Sequence, residues 1–157
     1  MKKILPFLWF DNNLQQAMDF YQTVFSDFSI VYTNNYGKEG PGKEGLLMSA
    51  QFKMADEEFM GLNGGPHFKF TEAVSFFINC DTQEEIDYYW EKLSADGGQK
   101  SRCGWLKDKF GLSWQVCTPL LGKLLADPDR AKAGRVMHAM MQMDKIDIAK
   151  VEAAAKG

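Results

Sequence analysis

The feature that most restricts what this chain can fold into is a unit that it contains twice. Residues 4–10, ILPFLWF, form a short apolar run that suits a buried strand, or an edge strand carrying Pro6. Asp11, Asn12 and Asn13 follow as good helix N-caps, and Leu14, Ala17, Met18, Tyr21 and Phe25 then recur on one helical face. Residues 74–80, VSFFINC, begin the same pattern again. Thr82-Gln83-Glu84-Glu85 spells a capping box, the threonine reaching the first-turn amides and Glu85 reaching back. Ile86, Tyr89, Trp90 and Leu93 mark the buried face of the second helix, which Gly97 and Gly98 can end. The two units superimpose at an offset of 69 residues: Ala17 on Ile86, Phe20 on Tyr89, Tyr21 on Trp90, Val24 on Leu93.

After each helix come strand-like runs separated by turn residues. They fall at 28–34, 46–54 and 57–62 in the first half, with GKEGPGKEG (37–45) as a mobile polar loop, and near 99–103, 104–108 and 112–118 in the second. The order of elements predicts an α+β fold of tandem βαβββ modules. Between them lies LNGGPHFKF, residues 62–70. Gly64 and Gly65 end the preceding strand, Pro66 stiffens the exit, and Phe68 and Phe70 anchor the crossing. His67 is first of all a linker residue, placed where it can also reach the rim of a pocket.

From Thr118 the pattern changes to helix. Pro119 to Leu125 makes a short helix, Pro128 suits the first turn of another running through Met143, and Asp144 caps a last one with Ile148, Val151 and Ala155 on one face. Methionines 137, 140, 141 and 143 make the region soft and apolar, suited to packing on its own domain or on a second subunit. Arg130, Lys132 and Arg135 read as a solvated basic face. The chain thus divides into residues 1–118, with modules at 1–63 and 73–118 and a linker at 64–72, and a helical C-terminal extension at 119–157.

Composition excludes several classes of function. With 45% hydrophobic residues the 157-residue chain can bury a core, and its net charge of −3 argues against a nucleic-acid partner. Cys80, Cys103 and Cys117 are odd in number, widely spaced and without a CxxC pair, as expected of free thiols in a reducing cytoplasm. The opening MKKILPFLWFDNN meets Asp11 before a signal peptide's apolar region would be complete. No segment reaches the roughly 18 apolar residues of a membrane span. The expectation is a cytoplasmic protein without a membrane or nucleic-acid partner.

WFDNN, LNGGPHFKF, SFFINCDTQEE, YWEKLS, GWLKDKFGLSWQV and RVMHAMMQMDKIDI together resemble the vicinal-oxygen-chelate superfamily of glyoxalases, bleomycin-resistance proteins and extradiol dioxygenases. Within it the chain looks like the PhnB-like branch, which often carries the label 3-demethylubiquinone-9 3-methyltransferase. The resemblance covers essentially the whole chain. It implies the glyoxalase/bleomycin-resistance fold, two modules forming a half-open barrel cleft, and a homodimer. It also implies where a metal would be held: a histidine on the first strand, a carboxylate or amide late in the first module, a histidine on the fifth strand and a glutamate on the eighth. Here the first strand offers Leu5, Phe7 and Trp9, and the fifth-strand position falls on Ala73 to Ser75. The glutamate position, four residues after the glycine of the turn Asp108-Lys109-Phe110-Gly111, is Gln115. His67 and His138 fall on none of these positions. The expectation is no metal and no cofactor.

What remains is a cleft lined by Phe7, Trp9, Phe59, Trp105 and Gln115, with His67 at its rim, which suits a small organic ligand. Alternation supports Gln115: Ser113, Gln115 and Cys117 share the polar face of the last strand, while Leu112, Trp114 and Val116 share the apolar one. The expected function is therefore metal-independent small-molecule binding. The alternatives are an enzyme of the same superfamily, with lyase, isomerase or dioxygenase chemistry at an atypical site, and the methyl transfer of the family label. Against methyl transfer stand the absence of any G-x-G-x-x-G run and a layout that is not a doubly wound sheet. Against cysteine nucleophiles, neither Cys103 nor Cys117 has a histidine beside it in sequence.

Overall fold

The computed structural model describes residues 2–157, which fall into two compact units joined between Lys69 and Phe70. The first unit runs β1 (Phe7–Phe10), α1 (Leu14–Val24), β2 (Ser29–Asn35), β3 (Leu47–Met54) and β4 (Glu57–Asn63). The second repeats the order with β5 (Phe76–Asn79), α2 (Gln83–Leu93), β6 (Gln99–Lys100), β7 (Trp105–Lys107) and β8 (Ser113–Cys117). Three helices follow: α3 (Pro119–Leu125), α4 (Arg130–Met141) and α5 (Ile148–Lys156). The strand orders β1-β4-β3-β2 and β5-β8-β7-β6 are the same topology written twice. β1 and β5, four residues each, and α1 and α2, eleven each, stand at the same 69-residue offset read from the sequence.

In the first unit Leu14, Ala17, Met18, Phe20, Tyr21 and Val24 are the buried face of α1. The helix lies close to its sheet because Gly61 has no side chain: a Cβ there would come within 2.4 Å of a Leu14 methyl. Asn13 takes the N-cap position, but its side chain makes no capping bond. The Leu14 amide is instead capped by Asn63 Oδ1 at 2.9 Å, from the end of β4. Asn63 also donates to the Leu47 carbonyl at 3.0 Å, and its own carbonyl accepts from the Tyr36 hydroxyl, so one buried amide ties helix, sheet and the 37–45 loop together.

In the second unit the Thr82 half of the capping box forms as expected, while Glu85 reaches one residue further back than the cap. Thr82 Oγ1 accepts from the Glu85 amide at 3.2 Å, and Glu85 Oε2 accepts from the Asp81 amide at 2.7 Å. Ile86, Trp90 and Leu93 are buried, whereas Tyr89, expected with them, is only half-buried at the edge of that face. The strand expected at 99–103 stops at Lys100. Cys103 and Gly104 take positive φ angles of 57° and 83°, which breaks the extended run. Their amides bond to the tail instead, at 2.8 Å to Met143 O and 2.7 Å to Asp144 O. The tail therefore packs on the second module of its own chain, with Ile146 and Val151 fully buried and the Gln83 side chain bridging Ile146 O and Ile148 N.

The tail also corrects three expectations. The cap of α4 is Asp129 rather than a first turn at Pro128, and the cap of α5 is Asp147 rather than Asp144. The basic face is not simply solvated. Lys132 pairs with Asp127 at 2.8 Å, and Arg135 donates to the carbonyls of Ala154 and Ala155, neutralising the C-terminal end of α5.

The turn before β8 is built on one buried carboxylate. Asp108 is 2% exposed; its Oδ1 accepts from the amides of Phe110 and Leu112, and its Oδ2 accepts from the Trp114 indole at 2.9 Å. Asp108→Asn turns an amide N–H toward one of these donors and removes the charge from the remaining bonds. We expect it to lower unfolding stability by about 2–4 kcal/mol in urea titrations followed by far-UV circular dichroism. An unchanged midpoint would show that the carboxylate is not what holds this turn.

Candidate functional site

Each helix covers one face of its sheet, so the opposite face of each sheet is left for function. In the first unit that face carries Phe7 and Trp9 from β1, whose register partners in β4 are Met60 and Leu62. Phe7 is about half exposed at 52%. Trp9 is occupied in part by the linker. Its indole donates to Gly65 O at 2.8 Å, its ring meets the edge of Phe68 at 4.9 Å between centroids, and a Cβ at Gly64 would come within 2.2 Å of it. The glycine pair of LNGGPHFKF is thus a close-approach device for Trp9, and His67 is exposed just beyond it.

Phe59 is on the wrong side. It is 3% exposed and stacks on Phe52 across the β3–β4 pair, 5.8 Å between centroids and 14° between planes. Gly61, two residues on, lies against Leu14 of the helix, so alternation sends Phe59 to the helix face as well. It is a core residue of its module.

The second unit brings Trp105 and Gln115 together as register partners on β7 and β8, with Phe77 of β5 on the other side of Gln115. Gln115 Nε2 donates to Ser75 Oγ at 2.8 Å, which fixes the carboxamide at the face's centre. Lys107 opposes Ser113 one step along, and its ammonium pairs with Glu72 Oε1 at 2.5 Å, which holds the Glu72 carboxyl below the usual carboxylate range. A hollow of about 510 Å³ adjoins them, with Glu72, Arg102, Trp105, Lys107 and Ser113 in its wall. The Ser113 side chain is fully buried, and its hydroxyl has no hydrogen-bond partner among the described residues. Glu72 and Lys107 carried no sequence signal of their own. Ser113 did, since it shares the polar alternation of Gln115.

Around Gln115 the polar partner is a hydroxyl rather than a charged ligand. Gln115 supplies a neutral carboxamide already engaged with a neutral hydroxyl. Among the described residues no three His, Cys, Asp or Glu side chains come together as a metal cluster. A borderline cation wants several imidazole, thiolate or carboxylate groups at once.

The three cysteines are free. Burial pushes the Cys80 thiol up to about 12 and raises Cys117 as well, so both are held protonated at neutral pH, the form that does not attack electrophiles. Cys103 is half-buried beside Met141, 3.8 Å from its sulfur, and so stands apart from the other two.

With the geometry in place, comparison decides the family. The family described as 3-demethylubiquinone-9 3-methyltransferase matches residues 2–117. The chain belongs to this family. It is a PhnB-like member of the vicinal-oxygen-chelate superfamily, as its motifs indicated. A PhnB protein from Bacillus cereus is 36% identical, with a TM-score of 0.67 over 74% of this chain and 99% of that one. The fold alone is shared with a Pseudomonas aeruginosa protein (19% identical, TM-score 0.58, 73% of this chain and 95% of that one). It is shared likewise with the fosfomycin resistance protein FosX of Mesorhizobium loti (18%, TM-score 0.56, 81% and 100%). Among curated proteins none matches. The α+β architecture of two four-stranded sheets agrees with the glyoxalase/bleomycin-resistance fold of these neighbours. Among the described residues no helix is long and apolar enough to cross a membrane.

Burial predicts the pattern of thiol labelling. In native protein at pH 8, Ellman's reagent is expected to modify Cys103 within minutes and to reach Cys80 and Cys117 only after denaturant is added, read by peptide mass spectrometry. Fast native labelling of Cys117 would mean that the open face of β8 is looser than described.

Proposed function

We propose that this PhnB-like protein binds a small organic molecule without a metal, on the open face of its second sheet. The observation that carries the proposal is the hollow walled by Trp105, Ser113 and a few charged groups, next to the strand pair in which Gln115 holds its carboxamide fixed. Phe7 and Trp9 offer a second aromatic surface on the open face of the first sheet. His67 serves as an outlying contact at most, and Phe59 plays no part in recognition. The donor set described above supports independence from metal. Methyl transfer has little support beyond the family's label: neither four-stranded mixed sheet is the doubly wound parallel sheet that a Rossmann-type methyltransferase needs. We place the protein in the cytoplasm as a homodimer. The edge strand β2, with Ile30, Val31 and Tyr32 all exposed, supports association through that edge.

A thermal-shift screen of organic metabolites is expected to give hits whose stabilisation is lost in Trp105→Ala and kept in His67→Ala. Hits indifferent to Trp105 would move the site elsewhere. A screen without hits would count against a binding function altogether. In parallel, dialysis against EDTA is expected to leave both the unfolding temperature and any hit's affinity unchanged. A fall in either, restored by manganese or zinc, would overturn metal independence.

A further inference from the structure

The hollow beside Trp105 also says what kind of molecule it takes, an inference that rests on the binding function proposed above. Its wall holds three cations, Lys100, Arg102 and Lys107, against one carboxylate, Glu72, within a chain whose net charge is −3. Positive charge concentrated in one concavity of an acidic protein attracts anions. Lys107 is offset by Glu72, and Lys100 by Glu91, which approaches its ammonium at 2.8 Å. Arg102 is different. One of its Nη groups donates to the neutral Met141 carbonyl at 2.6 Å, and among the described residues it forms no ion pair. Its charge is left for a ligand, in the planar fork that matches a carboxylate.

Two further groups narrow the class. Ser113 is fully buried with an unpartnered hydroxyl in the same wall, and a buried hydroxyl without a partner costs stability unless something else accepts its proton. Trp105 lines the wall with a flat ring that an aromatic ligand can stack on. A volume near 510 Å³ lies within the range of pockets for small organic ligands.

We propose that this hollow binds a flat aromatic anion of the aryl carboxylate class, with its ring on Trp105 and its carboxylate toward Arg102 and the Ser113 hydroxyl. The Glu72–Lys107 pair then serves as a charge-balanced edge that holds Lys107 in place without making the site repel an anion.

The test is isothermal titration calorimetry with three probes of one shape: 2-naphthoate, neutral 2-naphthamide and cationic 2-naphthylmethylammonium. Binding of 2-naphthoate is expected to be at least about tenfold tighter than that of the ammonium, and to weaken as salt is raised. Ser113→Ala is expected to weaken 2-naphthoate about three- to tenfold without lowering the unfolding temperature, because it removes a group that has no partner in the folded protein. Arg102→Gln is expected to bring naphthoate and naphthamide to similar affinity. The inference is overturned if the ammonium binds as tightly as the carboxylate, or if Ser113→Ala and Arg102→Gln both bind naphthoate like the parent. Equal binding of all three probes, lost in Trp105→Ala, rejects the anion but leaves the broader binding function standing. Binding of none rejects this inference, while the metabolite screen decides the broader function separately.

Discussion

In each half of this chain the first strand lies parallel to the last, β1 beside β4 and β5 beside β8. A parallel neighbour cannot be reached by a tight turn, so the chain must leave β1 or β5 through a helix and return through two antiparallel strands. That pairing places one helix on one face of each four-stranded sheet. The helix buries that face, through Gly61 against Leu14 in the first half and through Trp90 and Leu93 in the second. The other face is left with side chains that the core does not need. The candidate site exists because each sheet is covered once rather than twice.

The two open faces have gone different ways. In the first, Trp9 is partly taken up by the linker through Gly64, Gly65 and Phe68, so its aromatic surface is partly spent on structure. In the second, Gln115, which the resemblance sets at the superfamily's metal-binding glutamate, is held by a serine. Exchanging a carboxylate for a carboxamide removes the charge that would anchor a cation while keeping the shape and a hydrogen-bonding centre. The positive charges around the neighbouring hollow follow the same direction, away from cations.

Much of this was legible in the sequence, and the exceptions have physical causes. The duplicated order, both helix faces and the Thr82 capping box were readable because apolar periodicity and capping are local. The face on which Gln115 lies was readable because a strand alternates and the turn at Asp108–Gly111 sets its phase, and the register pairs it with Trp105. Phe59 was not: along β4 both phases carry apolar residues, and the choice is made by Gly61 against a helix about fifty positions earlier. The early end of β6 was hidden because Cys103 takes a left-handed conformation that its residue type does not announce. The starts of α4 and α5 were misplaced by one to three residues because several local residues can open a helix, and Asp129 and Asp147 are the ones that accept the first-turn amides. Arg102 and Glu72 gained meaning only once folding placed them beside Ser113.

The division of contacts between the halves sets an order in which the chain can become a protein. The first unit has its strands, its helix and the Asn63 bond to Leu14 within residues up to Lys69, all present before any of the second unit is made. The second unit needs Ile146 and Val151 to fill its core and Met143 and Asp144 to hold the backbone at Cys103 and Gly104, and these follow all of its strands in the sequence. During synthesis one module can therefore close early while the other waits for the helices that follow its last strand. The unit that waits is the one that carries the hollow beside Trp105.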